Sequence, residues 1–303
     1  MKNVTFRNGN LKMAGNLYLP ADFKENKKYA AIVCVHPGGG VKEQTAGLYA
    51  GKLSEKEYIT LAFDASHQGE SEGLPRGLEN PAERVEDIRC AVDFLTTLPY
   101  VDAENIGVMG VCAGGGYAVS AAQTEKRIKA VAGISSVDIG AFFREGFAGT
   151  PIAEQIKVLQ SVAAQRTAEA NGAEPVYIPY VPESTDGFDE NTPTLMREGH
   201  EYYRTSRGQH PNSDNKMLFT STDKLFAFTA FAQIGIYLTQ PLLMIAGSIA
   251  DTRRFSEQAV ELSNAEKELF LVDGATHIAM YDIPEYMNQA LDKMIVFFGK
   301  HLK

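Results

Sequence analysis

The stretch IGVMGVCAGGGYA, residues 106–118, has the pattern of a buried strand, a tight turn and a helix. The turn is GVCAG, residues 110–114, with Cys112 at its centre. Glycines are needed there because such a turn strains its central residue and brings strand and helix close together. The pattern is typical of a nucleophile elbow with cysteine in place of serine. The alternative interpretation is a glycine-rich turn around a small buried cysteine.

The composition is that of a globular protein large enough for one α/β domain, alone or with an insertion: 303 residues, 44% hydrophobic and 22% charged. A net charge of −9 argues against nucleic acid and anionic membranes as partners. The cysteines Cys34, Cys90 and Cys112 fit no even disulfide framework, which suggests a reducing compartment. No signal-like start and no membrane-spanning apolar run are visible, so we expect a cytoplasmic protein.

Strand and helix patterns alternate through most of the chain, after a hairpin pattern at residues 4–20. This alternation predicts an α/β fold with a mostly parallel sheet that helices cover on both faces. Buried-strand patterns occur at 30–35, 58–63, 106–109, 128–134, 241–247 and 269–272.

The alternation stops near residue 140 and resumes near residue 237. A structureless loop of that length is uncommon in a compact domain, so we expect 140–236 to form an inserted helical cap on a core of 1–139 and 237–303. Residues 226–238 are expected to form one packed helix. The aromatic residues of the insertion could roof an apolar pocket, could pack within the cap, or could accompany docking of a second subunit. They are Phe142, Phe143, Tyr177, Tyr180, Tyr202 and Tyr203.

Chemically active side chains follow the predicted strands, at the edge where sheets of this kind place their sites. A thiol nucleophile needs a base, and the base needs a group that fixes its tautomer. The order Cys112, Asp251, His277 is the nucleophile–acid–histidine order of the α/β-hydrolase fold. Asp138 is the alternative acid, whereas Asp282 is expected to pair locally.

Four segments resemble the dienelactone hydrolase-like branch of the α/β-hydrolases. They are VHPGGGVKEQ (35–44), AFDASHQGES (62–71), GVCAGGGYA (110–118), and the pair AGSIADTR (246–253) and DGATHIAMYD (273–282). The resemblance implies an α/β-hydrolase fold in which Cys112 is the nucleophile, His277 the general base and Asp251 the orienting acid.

An oxyanion hole requires two converging backbone N–H groups. Ala113 supplies one; Pro37 has no N–H, so Gly38 is the expected second donor, with Gly39 as the alternative. We expect the helix N-terminus and a nearby imidazole to lower the pKa of the Cys112 thiol. The candidate substrate contacts are His36, Gly39 and His67, although His36 also suits a structural role and His67 a turn.

The predicted function is hydrolysis of a carboxylic ester, lactone or thioester of a small molecule through an acyl-enzyme. Acyl transfer by the same residues stays open, as does an inactive binding protein of the same fold. Neither a metal nor a cofactor is expected, because no zinc-like spacing occurs and the glycines at 114–116 lack a P-loop lysine. Arg253 and Arg254 are candidates for binding a substrate carboxylate, and a homodimer is left open.

Overall fold

The computed structural model describes residues 1–147 and 149–302. The strands are β1 (Lys2–Asn8), β2 (Leu11–Tyr18), β3 (Tyr29–Val35), β4 (Ile59–Phe63), β5 (Val101–Val111), β6 (Ile128–Ile134), β7 (Tyr177–Pro179), β8 (Lys216–Leu218), β9 (Leu242–Gly247) and β10 (Lys267–Val272). The helices are α1 (Thr45–Ser54), α2 (Pro81–Thr96), α3 (Ala113–Thr124), α4 (Ile139–Glu145), α5 (Ile152–Ala170), α6 (Thr194–Arg204), α7 (Thr222–Ala227), α8 (Ile234–Tyr237), α9 (Arg253–Leu262), α10 (Ala279–Asp282) and α11 (Pro284–His301).

Eight strands form one sheet in the order β1-β2-β4-β3-β5-β6-β9-β10. The hairpin β1–β2 is antiparallel and joins β4 antiparallel, while all pairs from β4 to β10 are parallel. The predicted fold class is therefore confirmed. Because parallel strands end at the same edge, the loops after β3, β5 and β9 meet on one side of the sheet.

The central strands are apolar throughout because both faces of the sheet are covered. Successive side chains point to opposite faces of a strand, so Val108 of β5 packs in one apolar cluster and Met109 in the other. The first cluster includes residues of α2 and α3, and the second includes residues of α1 and α11. This two-sided core fixes the strand ends that carry the site.

Between β6 and β9 the chain leaves the large sheet. It forms helices α4 to α8 and a small antiparallel ribbon in which Tyr177 pairs with Leu218. The ribbon was not expected in a helical cap. The boundaries 140–236 stay a prediction. Among the described residues, no helix combines the length and the apolar character needed to cross a bilayer.

The prediction of one helix over 226–238 is wrong. Helix α7 ends at Ala227 and α8 begins at Ile234, with Phe228 in an extended conformation between them. Arg144 donates to the carbonyl oxygens of Phe226 and Phe228, at 2.8 and 2.6 Å. Side chains from elsewhere in the fold therefore satisfy backbone groups that a continuous helix would pair internally, an effect that local sequence does not reveal.

Candidate active site

Cys112 lies between the end of β5 and the start of α3, with a φ of +57°. A positive φ on a non-glycine residue costs on the order of 1–3 kcal/mol and persists only where the surroundings enforce it. Here they do, because a Cβ on Gly110 would collide with the Gly114 carbonyl and a Cβ on Gly114 with the Val35 carbonyl. The strained turn therefore holds the thiol at the carboxyl edge of the sheet.

Three hydrogen-bonding groups converge on the Cys112 sulfur: the backbone N–H groups of Ala113 and Gly38 and the side chain of Tyr281. Ala113 and Gly38 are the two donors predicted for an oxyanion hole, and both point to the same atom. Each of the three contacts lowers the pKa of the thiol, but burial has the larger effect and raises it. The expectation of a lowered thiol pKa is therefore wrong, because desolvation disfavours the thiolate more than neutral donors favour it.

His277 is buried within hydrogen-bonding distance of two hydroxyl groups. Its Nε2 lies 3.2 Å from the hydroxyl of Tyr281, and its Nδ1 lies 2.5 Å from Oγ1 of Thr252. Burial lowers its pKa to about 3, so the imidazole is neutral at neutral pH. Tyr281, which also contacts Cys112, thus connects the thiol to the imidazole.

Asp251 does not occupy the position expected of the orienting acid. Its carboxylate accepts a hydrogen bond from the backbone N–H of Leu195, at 3.1 Å, in the first turn of α6. Among the hydrogen bonds of the described residues, the Nδ1 partner of His277 is Thr252, the next residue along the chain. The structure therefore brings Cys112, Tyr281, His277 and Thr252 together, whereas the Asp251 carboxylate binds the backbone of α6.

The other two acids considered also have different partners. Asp138 caps α4 by accepting from Ala141 at 3.1 Å and also accepts from the backbone of Ala230 at 3.0 Å. Asp282 pairs with Arg207 at 2.7 Å, a partner 75 residues away along the chain and not the local one expected. Both carboxylates thus have structural partners of their own.

The three candidate substrate contacts lie away from the cavity at Cys112. His36 is fully buried, with Nδ1 2.7 Å from the Pro37 carbonyl and Nε2 accepting from Ala65 N–H at 3.1 Å. Burial and a nearby arginine lower its pKa well below the ordinary value, so it is a neutral structural residue. Gly39 and His67 line a separate polar pocket, where His67 Nε2 lies 2.9 Å from Glu83.

A cavity of about 250 Å³ opens beside Cys112 and Gly38. Its lining is otherwise apolar or aromatic, and no charged side chain is among the described residues that form it. Of the six aromatic residues considered in the insertion, four line this cavity and two do not. The four are Phe142, Phe143, Tyr180 and Tyr203.

A buried network that the sequence did not reveal connects Tyr180 of the cavity lining to the loop that carries Gly38. The Glu79 carboxylate accepts from the hydroxyls of Tyr117, at 2.6 Å, and Tyr180, at 2.9 Å. Arg84 lies 3.6 Å from Glu79 and donates to the carbonyl of His36 at 2.8 Å. In the sequence, Glu79 and Arg84 look like ordinary charges at the start of an amphipathic helix, so no local signal identifies them.

One group of carboxylates has the spacing of a metal site: Glu43, Asp64 and Glu70. The Lys42 ammonium lies 2.6, 2.8 and 2.6 Å from these three side chains in turn. Since this ammonium already contacts all three carboxylates, it occupies the position that a metal ion would take, and the group does not suit a metal as it stands.

Comparison with known proteins agrees with this architecture. The model of the dienelactone hydrolase family matches residues 13–164. The uncharacterized protein YcjY of Escherichia coli is 40% identical over 307 residues, which cover 99% of this chain and 98% of YcjY. The chain belongs to the dienelactone hydrolase family. It is thus a hydrolase, and solved α/β hydrolases share its fold.

Three other proteins are similar to this chain, one by its crystal structure and two by sequence. The crystal structure of the hypothetical protein PA2218 from Pseudomonas aeruginosa has a TM-score of 0.91 at 33% identity, covering 99% of this chain and 93% of that one. The thiohydrolase aneE of Aspergillus aculeatus is 33% identical over 56% of this chain and 52% of its own length. The acyltransferase drtE of Aspergillus calidoustus is 26% identical over 99% of this chain and 96% of its own.

Proposed function

We propose that this dienelactone hydrolase family protein cleaves an ester, lactone or thioester by forming an acyl-enzyme on Cys112. One observation carries the proposal: the backbone N–H groups of Gly38 and Ala113 converge on a thiol that lines an apolar cavity. Donors in that arrangement can hold the oxyanion of a tetrahedral intermediate. The thiohydrolase name of aneE supports the same chemistry.

In the first half-reaction the Cys112 sulfur bonds to the substrate carbonyl carbon, and the carbonyl electron pair moves to oxygen. The thiol proton passes to the Tyr281 oxygen while Tyr281 gives its own proton to Nε2 of His277, which lies 3.2 Å away. The Gly38 and Ala113 N–H groups then bind the oxyanion. When the carbonyl reforms, the bond to the leaving group breaks, and that group takes the proton from His277.

In the second half-reaction water attacks the thioester on Cys112. His277, acting through the same tyrosine, takes a proton from the water. The carbon–sulfur bond breaks, the sulfur regains a proton, and the free acid leaves. The same groups therefore serve both halves of the cycle in opposite directions.

The hydrogen-bond partner of Nδ1 of His277 affects which substrates suit this site. With Nδ1–H donating to Thr252, Nε2 is left free to accept a proton. A hydroxyl is neutral, so it stabilises the imidazolium less than a carboxylate would. The thiol and imidazole are both neutral at rest, and the base is weak. Activated acyl groups such as thioesters and lactones therefore fit this arrangement better than amides.

Acyl transfer is the second candidate function. Phe142, Phe143 and Tyr180 give the cavity an aromatic lining, which favours an organic acceptor over water. The acyltransferase name of drtE supports this alternative. Both functions use the same acyl-enzyme and differ only in the second nucleophile.

A product assay tests the proposal and separates the two functions. Cys112→Ala should abolish turnover of an acyl thioester and remove the covalent acyl adduct seen by mass spectrometry. Cys90→Ala is the matched control, because this buried cysteine lies in α2 and should leave turnover intact. Undiminished turnover in Cys112→Ala would rule out this site. Free acid as the sole product, with an alcohol or amine present, would rule out transfer.

A further inference from the structure

The cavity beside Cys112 has a chemistry that points to a class of substrate. We propose that it receives the acyl part of the substrate and selects an uncharged, apolar acyl chain. This inference rests on the proposed function and deepens it. The argument uses the size of the cavity, its lining, the surrounding charges and the order of the two half-reactions.

The volume of the cavity limits the length of the acyl chain that it can hold. The cavity measures about 250 Å³. Since a cavity of roughly 150 Å³ takes benzene, this one takes about ten carbon atoms. A straight medium-length acyl chain fits that space, whereas an acetyl group leaves most of it empty.

The lining of the cavity is apolar where the acyl chain of the substrate would lie. Val137, Ile139 and Leu195 face the cavity together with Phe142 and Phe143. Of the three tyrosine hydroxyls in the lining, two have partners, and that of Tyr203 is buried with no hydrogen-bond partner among the described residues. The Tyr180 hydroxyl donates to Glu79 at 2.9 Å, and the Tyr281 hydroxyl lies 3.2 Å from His277. The surface left for a substrate therefore binds hydrocarbon.

The surrounding cations cannot accept a substrate carboxylate. Arg84 lies 3.6 Å from Glu79, and Arg207 lies 2.7 Å from Asp282. Arg253 and Arg254, which the sequence suggested as carboxylate ligands, pair instead with Glu257 and Glu145 at 2.7 and 2.8 Å. None of these four arginines lines the cavity. A carboxylate at the end of the acyl chain would thus be buried without a partner, which strongly opposes binding.

The order of events assigns the cavity to the acyl group and not to the leaving group. The acyl group stays bonded to the Cys112 sulfur through both half-reactions, while the leaving group must depart before the second nucleophile enters. An apolar cavity beside the Cys112 sulfur therefore suits the acyl group, which remains bonded there.

Steady-state kinetics with p-nitrophenyl esters test this assignment, since the leaving group is constant while the acyl chain grows from acetyl to myristoyl. We expect kcat/KM to rise about fourfold per methylene as far as the cavity reaches, and then to fall. An acyl chain that ends in a carboxylate should lose about 100-fold or more against the methyl-ended chain of equal length.

Two lining variants should move the optimum in opposite directions. Phe143→Ala enlarges the cavity and should favour longer chains, and Met196→Phe fills it and should favour shorter ones. Phe188→Ala is the control, because this aromatic residue packs against His200 and does not line the cavity. An optimum that stays in place in both lining variants would overturn the inference.

The inference and the proposed function can fail separately. If Cys112→Ala retains hydrolysis, the proposed function fails. If hydrolysis depends on Cys112 but acetyl or carboxylate-ended esters are preferred, only the substrate class is wrong. A dependence on the length of the alcohol part, at a constant acyl group, would likewise overturn the assignment of the cavity.

Discussion

In the proposed mechanism, Tyr281 lies on the path of the proton between Cys112 and His277. Its hydroxyl lies 3.2 Å from Nε2 of His277, and its side chain also contacts the sulfur of Cys112. The residue is fully buried, and burial raises the pKa of its hydroxyl well above the ordinary value, so it stays protonated. A neutral hydroxyl can accept one proton and give another at the same time.

Replacing Tyr281 with phenylalanine should therefore lower kcat for an acyl thioester by about 100-fold, as expected when a group of a proton path is lost. The ring and its packing are kept, but the buried Nε2 of His277 loses its hydroxyl partner, so the free energy of unfolding should fall by about 1–3 kcal/mol. Tyr286→Phe, at the start of α11, is the control and should retain full activity. Equal activities in the two variants would mean that His277 receives the proton without Tyr281.

Thr252 and Asp251 can be separated by matched variants. Thr252→Val keeps the shape but leaves a buried imidazole nitrogen unpaired, at a cost of about 1–3 kcal/mol, so kcat/KM should fall by about tenfold or more. Asp251→Asn keeps an oxygen that can accept from Leu195, so its effect should be several times smaller. The measurement is the ratio of the two kcat/KM values. A larger loss in Asp251→Asn would restore Asp251 as the orienting acid.

At the scale of elements, Tyr180 joins the small ribbon to the body of the protein. It follows β7, its ring covers Gly38 and Gly39, and its hydroxyl donates to the buried Glu79. A Cβ on Gly38 would lie only 2.9 Å from the Tyr180 ring, so the loop at Gly38 can pack against Tyr180 only with glycine there. The position of Gly38, which we propose as an oxyanion donor, thus depends on a residue of the insertion.

Removing the Tyr180 hydroxyl should weaken the contact between the small ribbon and the body of the protein. Tyr180→Phe should lower the free energy of unfolding by about 1–3 kcal/mol, because it removes a hydrogen bond to the buried carboxylate of Glu79 and leaves that oxygen with the bond from Gln68 alone. It should also lower kcat more than it raises KM, since the Tyr180 ring that packs against Gly38 is held less firmly. Tyr177→Phe removes a comparable hydroxyl bond at an exposed site and should cost about 0.5 kcal/mol or less. Urea denaturation of both variants measures the difference, and equal losses would contradict this account.

Most elements could be predicted from the sequence because their signals are local. The apolar run of β6 and the turn between β1 and β2 were predicted close to their observed bounds. The start of α2 also has a local signal, since Asn80 accepts from Ala82 at 3.2 Å as an N-cap before Pro81. The break between α7 and α8 could not be predicted, because Arg144 and Asp138, distant in sequence, bind the backbone there.

At the scale of the whole molecule, buried histidines connect stability to pH. His36 and His277 are neutral in the folded protein because burial lowers both pKa values, that of His277 to about 3. In the unfolded chain each would protonate near its ordinary pKa of 6.5. The unfolded state therefore gains protons first as the pH falls, and the folded state loses stability below pH 6.5.

We expect the urea midpoint to decrease progressively as the pH is lowered from neutral through 6.5, the ordinary histidine pKa. His277→Gln should make this dependence less steep, whereas His200→Gln, at a partly exposed position on α6, should not. A midpoint that is constant over this range, or that increases toward acid, would contradict the assignment of neutral buried histidines.

The sequence by itself determined most elements of the large sheet, the family resemblance and the elbow at Cys112, because each depends on short segments whose residues are close together along the chain. Only the tertiary structure decided which residue meets His277. Consecutive Cα atoms are about 3.8 Å apart, so the path of one loop after β9 decides between Asp251 and Thr252. The cavity and the contact of Tyr281 with both the thiol and the imidazole likewise require side chains from distant elements. No local pattern encodes those distances, since they arise only when the sheet, the helices and the insertion pack together.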